Sequence, residues 1–285
     1  MSSQTNSIDL DKKSSVSYPE DSINLITKYK LSLEWVPKDT KTLLDAGCAW
    51  GYGTRILKQK CSHIYGIDPN QDAINVAKKR DERINFINCG LEKTPFESEF
   101  FDVVVCCETL EHVGNEIDSL NEIYRILKTR GILIITTPHK GLFGFMDPGN
   151  SIRWVDYFVK SKLPGLYRIA YKMRKGEYPQ KVEVKKPIYD HDNTHRHYTL
   201  EDIFGMLDES IFREKYEMKR VLRSGCFVEP FTLNVEFYLT LFKVQKRMLD
   251  RLSKIFRSLS VVDYWIPYNK LAYNIAVKII KKESI

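Results

Sequence analysis

Short apolar runs alternate with amphipathic stretches along the first half of the chain. The runs have the length of buried strands, and the stretches carry apolar residues at helical spacing. The predicted strands cover residues 42–46, 63–70, 84–90, 101–107 and 132–138, and the predicted helices cover residues 54–60, 71–80 and 117–128. This order predicts an α/β fold with a doubly wound, mostly parallel sheet and right-handed crossovers. A helical insertion is expected after the fifth strand, and a helical extension at the C-terminus.

Three glycines lie close together after the first predicted strand, in the stretch LLDAGCAWGYGT. In a parallel sheet this position lies at the carboxyl edge, where ligands bind. Glycine allows the backbone to approach a ligand closely, and the N-terminus of the following helix favours an anionic group. Neither a complete G-x-G-x-x-G motif nor a phosphate-binding GxxxxGK[ST] motif is present. The spacing found is Asp45-x-Gly47-x-Ala49-x-Gly51-x-Gly53.

This spacing resembles the first motif of the class I S-adenosylmethionine-dependent methyltransferases, in which an acidic residue precedes glycines at every second position. The resemblance continues through Asp68 and the stretches CGLEKTPFESEFFDVVV, CCETLEHV and EIYRILKTRGILIITTP. The second of these is similar to the ubiquinone-biosynthesis O-methyltransferase branch. The resemblance covers residues 40–140, and more loosely 195–207. It implies a Rossmann-like methyltransferase fold, S-adenosyl-L-methionine as cofactor and methyl transfer as the activity.

The resemblance also assigns the cofactor site. At Asp68 the family uses a carboxylate to accept both ribose hydroxyls, which a neutral side chain cannot match. Ala49 replaces the usual middle glycine, and Gly90 stands where many relatives have an aspartate near the adenine. Backbone contacts from Leu91 are expected to substitute for that aspartate. The residues implied to bind the cofactor are Asp45, Gly47, Ala49, Gly51, Asp68, Pro69, Leu91 and Cys107.

Three histidines are candidate catalytic residues. Methyl transfer needs the nucleophile, methyl and sulfur in line, and an oxygen nucleophile must also lose a proton. Histidine titrates in the required range. His112 and His139 follow the fourth and fifth strands, and His195 lies in the later segment that returns to the sheet. O-methylation of a small molecule, lipid precursor or glycan is favoured. N-methylation, a non-enzymatic scaffold and an NAD-dependent oxidoreductase are the alternatives.

The string E-x-x-E-H suggests a metal site. In some relatives it carries a divalent metal, and a later histidine completes the site. Carboxylates with imidazoles suit Mg²⁺, Mn²⁺ or Zn²⁺. The candidate ligands are Glu108, Glu111, His112 and His195. In other relatives the same string only shapes the pocket. A zinc site on the two adjacent cysteines of the fourth strand is disfavoured, because neighbouring strand residues point to opposite faces.

The net charge of +7 is unevenly distributed. Residues 151–189 and 243–285 each hold ten Lys or Arg and three Asp or Glu, so the remainder is acidic. The first segment is also aromatic, and is predicted to be a lid or substrate region for an anionic, partly apolar acceptor, or an ordinary solvated cap. The second includes a basic amphipathic helix at 246–259, which would lie on an anionic membrane or pack on its own domain.

These patterns divide the chain into five regions. They are a disordered N-terminus (1–20), a cofactor-binding core (21–140), the basic aromatic insertion (141–194), the remainder of the core (195–242) and the basic amphipathic extension (243–285). The chain shows no bilayer-spanning segment, signal peptide or disulfide-like cysteine spacing, which favours a cytoplasmic protein with, at most, peripheral contact with an anionic membrane. The expected partner is a small-molecule, lipid-linked or glycan acceptor. No nucleic-acid-binding module is recognised.

Overall fold

The computed structural model describes residues 23–141, 148–179, 181–182, 184, 196–225, 259 and 262–283. The predicted disordered N-terminus and almost all of the predicted amphipathic helix lie outside the described residues. The helices are α1 (Ile23–Trp35), α2 (Tyr52–Leu57), α3 (Gln71–Arg80), α4 (Glu116–Ile126), α5 (Pro148–Lys162), α6 (Pro164–Lys175) and α7 (Leu200–Glu209). The strands are β1 (Thr40–Ala46), β2 (Cys61–Asp68), β3 (Asn85–Asn88), β4 (Phe101–Cys107), β5 (Leu127–Pro138), β6 (Tyr216–Ser224) and β7 (Asn274–Lys281).

The strands form a single sheet in the order β3-β2-β1-β4-β5-β7-β6. Strands β1 to β5 pair in parallel, and β7 pairs antiparallel with both β5 and β6. In the centre, Leu43 of β1 lies beside Ile64 of β2 and Val103 of β4. The prediction of a doubly wound, mostly parallel sheet is confirmed. Chain order reverses around β1, so the carboxyl ends of β1 and β4 flank the crevice where ligands bind in such sheets.

Helices cover both faces of the sheet. Leu44 and Val104 belong to one apolar core together with residues of α4 and α7. Leu43 and Val103 belong to a second core, with residues of α1, α2 and α3. Adjacent residues of β1 and β4 therefore face opposite sides, and the apolar run of β4 is explained by burial on both. Among the described helices, none combines the length and apolar character that a bilayer-spanning segment needs.

The prediction of a helical C-terminal extension is wrong for Asn274–Lys281, which forms strand β7. Strand β7 lies inside the sheet between β5 and β6, and Ile279 at its centre is fully buried. Two lysines that interrupt its apolar pattern find backbone partners. The Lys278 ammonium donates to the Trp35 carbonyl at 2.7 Å, and Lys281 donates to the Leu127 carbonyl at 2.7 Å. The charges of both lysines are therefore satisfied by distant parts of the chain.

Two helices follow β5 in the region predicted as the helical insertion. Helix α5 and helix α6 pack against each other and are joined at Leu163. Pro164 begins α6, where its missing amide hydrogen costs nothing. Gly176, with a left-handed φ of 82°, ends it. We call Pro148–Lys175 the α5–α6 hairpin.

The position of β7 makes the C-terminal residues essential for stability. We expect Ile279→Ala to lower the free energy of unfolding by about 2–5 kcal/mol, because it leaves a cavity in a fully buried strand. Urea unfolding measures this loss. Ile211→Ala, at a position 47% exposed, is the matched control and should cost far less. Equal effects of the two substitutions would contradict the placement of β7 in the core.

Candidate functional site

A cavity of about 400 Å³ opens at the carboxyl edge of the sheet. Five of the residues predicted to bind the cofactor line it, namely Gly47, Ala49, Asp68, Pro69 and Leu91. Residues after β4 form another part of its wall, among them Glu108, Thr109 and His112. The volume lies within the range of small-molecule sites. The structure thus brings the turn after β1, the end of β2 and the turn after β4 together around one space.

The glycines after β1 are required by close packing within the protein. A Cβ atom on Gly47 would lie 2.2 Å from the Thr109 hydroxyl oxygen. A Cβ on Gly51 would lie 2.6 Å from the Phe86 ring. Gly47 and Gly51 also have left-handed φ angles of 81° and 79°. Gly51 does not line the cavity, so its predicted contact with the cofactor is not supported. A larger residue at Gly51 is excluded by the Phe86 ring in the core.

Ala49 holds a left-handed conformation, with a φ of 44°. A residue with a Cβ pays about 1–2 kcal/mol in this region relative to glycine. The Ala49 amide donates to Asp68 Oδ2 at 3.0 Å, which helps to hold the turn in place. The departure from the family motif is therefore accommodated by a direct bond between the turn and β2.

Asp68 occupies the position expected for ribose binding. Its Oδ1 accepts from the Asn70 amide at 2.8 Å, and its Oδ2 from Ala49 as described. The Asn70 side chain in turn caps α3 by accepting from the amides of Asp72 and Ala73. A half-buried carboxylate fixed on both oxygens keeps lone pairs for further donors. Asp68 therefore lines the cavity with acceptor capacity to spare, and its contact with two ribose hydroxyls stays a prediction.

Asp45 lies behind the turn, away from the cavity lining. It is fully buried and accepts from Thr54 Oγ1 at 2.6 Å and from the Tyr29 hydroxyl at 3.2 Å. Burial raises the pKa of Asp45 from 3.8 to about 7. The tyrosine ring also packs on Gly53, where a Cβ would lie 2.0 Å from it. Asp45 thus links β1 to α1 and α2 through hydrogen bonds. Its predicted direct contact with the cofactor is not supported.

Two further predicted site residues are buried outside the cavity lining. Cys107 accepts a hydrogen bond from Thr136 Oγ1 at 3.2 Å, and burial raises the pKa of its thiol. His139 is 4% exposed, and its Nδ1 lies 3.0 Å from the Ala272 carbonyl oxygen. Burial lowers the pKa of His139. Because its ring is buried against the Ala272 carbonyl and does not line the cavity, His139 is not placed to act as the predicted catalytic base.

His112 is the candidate base that does line the cavity. It lies in the turn Leu110–His112, on the same wall as Thr109. The third candidate, His195, lies outside the described residues. The histidine prediction thus stands on His112 in the described part of the chain.

The two glutamates predicted as metal ligands are not arranged to hold a metal ion. Glu108 Oε2 lies 2.5 Å from the Lys28 ammonium, and both side chains are largely buried. Glu111 is 1% exposed, with Oε2 accepting from Thr137 Oγ1 at 3.1 Å. Its Oε1 has no hydrogen-bond partner, and burial together with the charge of Glu108 raises the pKa of Glu111. A lysine thus neutralises one carboxylate, and the other favours its protonated form.

The remaining candidate ligand, His195, lies outside the described residues. Among the residues that the structure does describe, no three His, Cys, Asp or Glu side chains are grouped to hold a metal ion. No chemical step is therefore assigned to a metal here.

Sequence reasoning missed the residues that position the turn after β4. Arg196 donates from Nε to the Glu111 carbonyl at 3.2 Å, and its guanidinium also donates to Glu116 and the Val113 carbonyl. The Tyr198 hydroxyl donates to Glu116 Oε1 at 2.9 Å. These bonds fix residues 110–116 at the cavity wall. The only signal in the sequence was the loose match at 195–207.

Lys28 was also missed, because a lysine in an N-terminal helix carries no motif. Helix α1 places Lys28 and Tyr29 on consecutive residues, so one reaches Glu108 and the other Asp45. Helix α1 therefore contacts the cavity wall through Glu108 and the buried side of the glycine turn through Asp45.

The pKa of Asp45 makes stability depend on pH. A carboxyl group whose pKa is raised on folding stabilises the fold at pH values below its pKa in the unfolded chain. This stabilisation is lost as the pH rises through its pKa in the folded protein. We expect Asp45→Asn to become more stable relative to the wild type between about pH 4 and pH 7. The change is at most on the order of 4 kcal/mol. Urea unfolding across this range tests it, with Asp118→Asn, an exposed position, as reference. A pH-independent difference would contradict the raised pKa.

Known proteins share this core. Residues 44–135 match a family model described as a methyltransferase domain. Over 112 residues the chain is 37% identical to the mitochondrial ubiquinone biosynthesis O-methyltransferase of Rattus norvegicus, covering 36% of this chain and 32% of that protein. Over 161 residues it is 28% identical to the ubiquinone/menaquinone biosynthesis C-methyltransferase of Campylobacter jejuni, covering 52% of this chain and 65% of that protein. The chain thus spans about a third of the length of the first relative and under two thirds of the second.

The fold is shared more widely than the sequence. A solved putative S-adenosylmethionine-dependent methyltransferase from Listeria monocytogenes superposes with a TM-score of 0.52 at 15% identity, covering 92% of this chain and 99% of that one. The family match includes the glycine turn, Asp68 and the strands that bring them together. Residues 44–135 are therefore a methyltransferase domain, similar in sequence to methyltransferases of ubiquinone biosynthesis.

Proposed function

We propose that this protein transfers the methyl group of S-adenosyl-L-methionine to a hydroxyl oxygen of an organic acceptor. The observation that carries the proposal is the cavity at the carboxyl edge, which has Asp68 and the glycine turn on one wall and His112 on another. The first wall suits a nucleoside, and the second offers a base. When bound, the cofactor supplies a methyl group on a sulfonium leaving group.

The residues present fit the cofactor. Asp68 would take the ribose hydroxyls, and the backbone at Gly90 and Leu91 would contact the adenine, since both line the cavity. Gly47 leaves the backbone open on the side of the turn that faces this space. Glu108 lies on the opposite wall, where the Lys28 ammonium neutralises its charge. Its pairing with Lys28 holds the carboxylate in one position.

His112 would remove the acceptor proton. An imidazole at the cavity wall accepts a proton near neutral pH, and removing it makes a hydroxyl a far better nucleophile. Arg196 and Tyr198 act through the turn that carries this histidine, by fixing its backbone. The acceptor would be a small molecule, a lipid precursor or a glycan.

A carbon acceptor is the second candidate. The similarity to a ubiquinone/menaquinone C-methyltransferase extends over 52% of the chain, more than the similarity to the O-methyltransferase. An activated carbon also has to lose a proton, so His112 would serve the same purpose. An amine acceptor would need no strong base, and a scaffold would need no cofactor.

Loss of the Asp68 carboxylate should weaken cofactor binding. We expect Asp68→Asn to raise the dissociation constant of S-adenosylhomocysteine at least about tenfold, because the carboxylate both accepts ribose hydroxyls and holds the Ala49 amide. Isothermal titration calorimetry measures this constant. Asp72→Asn, an exposed position on the next helix, is the matched control. No binding by the folded wild type would refute the cofactor assignment and favour a scaffold.

Loss of the His112 imidazole should lower turnover and leave cofactor binding intact. We expect His112→Gln to reduce methyl transfer about 10²–10⁴-fold, the usual contribution of a general base. Transfer of tritiated methyl groups into small-molecule, lipid and glycan extracts measures the rate. His63→Gln, at the exposed start of β2, is the control. An unchanged rate and pH profile in His112→Gln would argue against a histidine base and favour an amine acceptor.

A further inference from the structure

Exposed apolar side chains are concentrated in the α5–α6 hairpin and its continuation. Among the described residues, fourteen large apolar side chains are exposed, and seven of them lie between positions 155 and 184. The hairpin itself carries Val155, Phe158, Leu163, Leu166 and Ile169, each 44–56% exposed. Single exposed apolar residues are ordinary, but a group of this kind marks an interaction surface.

The exposed apolar residues share one face of each helix. Val155 and Phe158 are three residues apart on α5, and Leu166 and Ile169 are three apart on α6, so each pair lies side by side. Other aromatic side chains are used within the hairpin. Tyr167 packs with Tyr171, with ring centroids 6.0 Å apart, and lies under the Lys160 ammonium. The hairpin therefore has internal contacts of its own, distinct from the exposed apolar face.

Positive charge accompanies this face. Residues 148–175 contain seven Lys or Arg and one Asp, whereas the other exposed apolar group, at 259–271, has one Lys and one Asp. Lys162 lies seven residues after Val155, so its stem can follow the apolar face and its ammonium can extend beyond it. Arg168 is exposed on the other side of α6 from Leu166. The chain outside residues 151–189 and 243–285 is acidic, so the hairpin belongs to one of two basic segments of the chain.

We propose that the α5–α6 hairpin docks on the surface of an anionic lipid bilayer. Helices with an apolar face and basic flanks lie in the membrane interface, with the apolar side chains below the headgroups and the cations among them. The excess of positive charge in the hairpin complements anionic headgroups. The neutral patch at 259–271 lacks the charge and is not included. This docking does not depend on methyl transfer.

Co-sedimentation of the full chain with vesicles tests the proposal. The vesicles contain phosphatidylcholine alone or with phosphatidylserine, at low and high salt. We expect binding to the anionic vesicles only, weakened at high salt because the charges are screened. Phe158→Ser with Ile169→Ser, and separately Lys162→Glu with Arg168→Glu, should each lower the partition coefficient at least about tenfold. All four side chains are exposed, so the fold should be retained.

Matched controls distinguish binding through this surface from nonspecific adsorption of the protein to vesicles. Ile211→Ser with Val221→Ser removes exposed apolar side chains elsewhere, and Lys78→Glu with Lys79→Glu makes the same charge change on α3. Both control proteins should bind like the wild type. Equal loss in the controls would overturn the proposal. Failure of the wild type to bind any vesicle would also overturn it, and would assign the hairpin to an acidic protein partner instead.

Discussion

The close packing of the turn between β1 and α2 is the constraint on which the site depends. Side chains from three other parts of the chain occupy the places where Cβ atoms would otherwise lie. Thr109 comes from the turn after β4, Phe86 from β3 and Tyr29 from α1. The same turn is held by Asp68 from β2 through the Ala49 amide. The turn thus joins four elements, and the shape of the cavity beside it follows from their contacts.

The carboxyl groups of Asp45 and Glu108, on either side of this turn, are stabilised in two different ways. Asp45 is fully buried with hydroxyl partners, so burial raises its pKa. Glu108 meets an ammonium at short distance, so its charge is neutralised by a partner. Helix α1 provides a group for each arrangement. A small displacement of this helix would disturb the back of the glycine turn and the front wall of the cavity together.

The core and the α5–α6 hairpin have separate sources of specificity. The fold is shared with a solved putative methyltransferase, and a fold of this kind does not by itself identify the acceptor. The hairpin adds an exposed apolar face and a dense positive charge that the core lacks. We therefore expect the residues that recognise the acceptor to lie in the parts of the chain that differ from the shared core.

Local pattern in the sequence was sufficient for the strands and helices of the core, because each apolar run or stripe records which faces of an element are buried. It also placed Asp68 and His112 at the cavity, since residues just after parallel strands meet at one edge, whereas the role of Asp68 came from the family resemblance. Tertiary structure alone decided the rest. The pairing of β7 with β5 joins residues more than a hundred positions apart, and its lysines bond to distant carbonyls and, for Lys281, also to Glu99. Whether a polar residue lines the cavity, as His112 does, or is buried against a distant part of the chain, as His139 is against the Ala272 carbonyl, depends on neighbours that the local sequence does not contain.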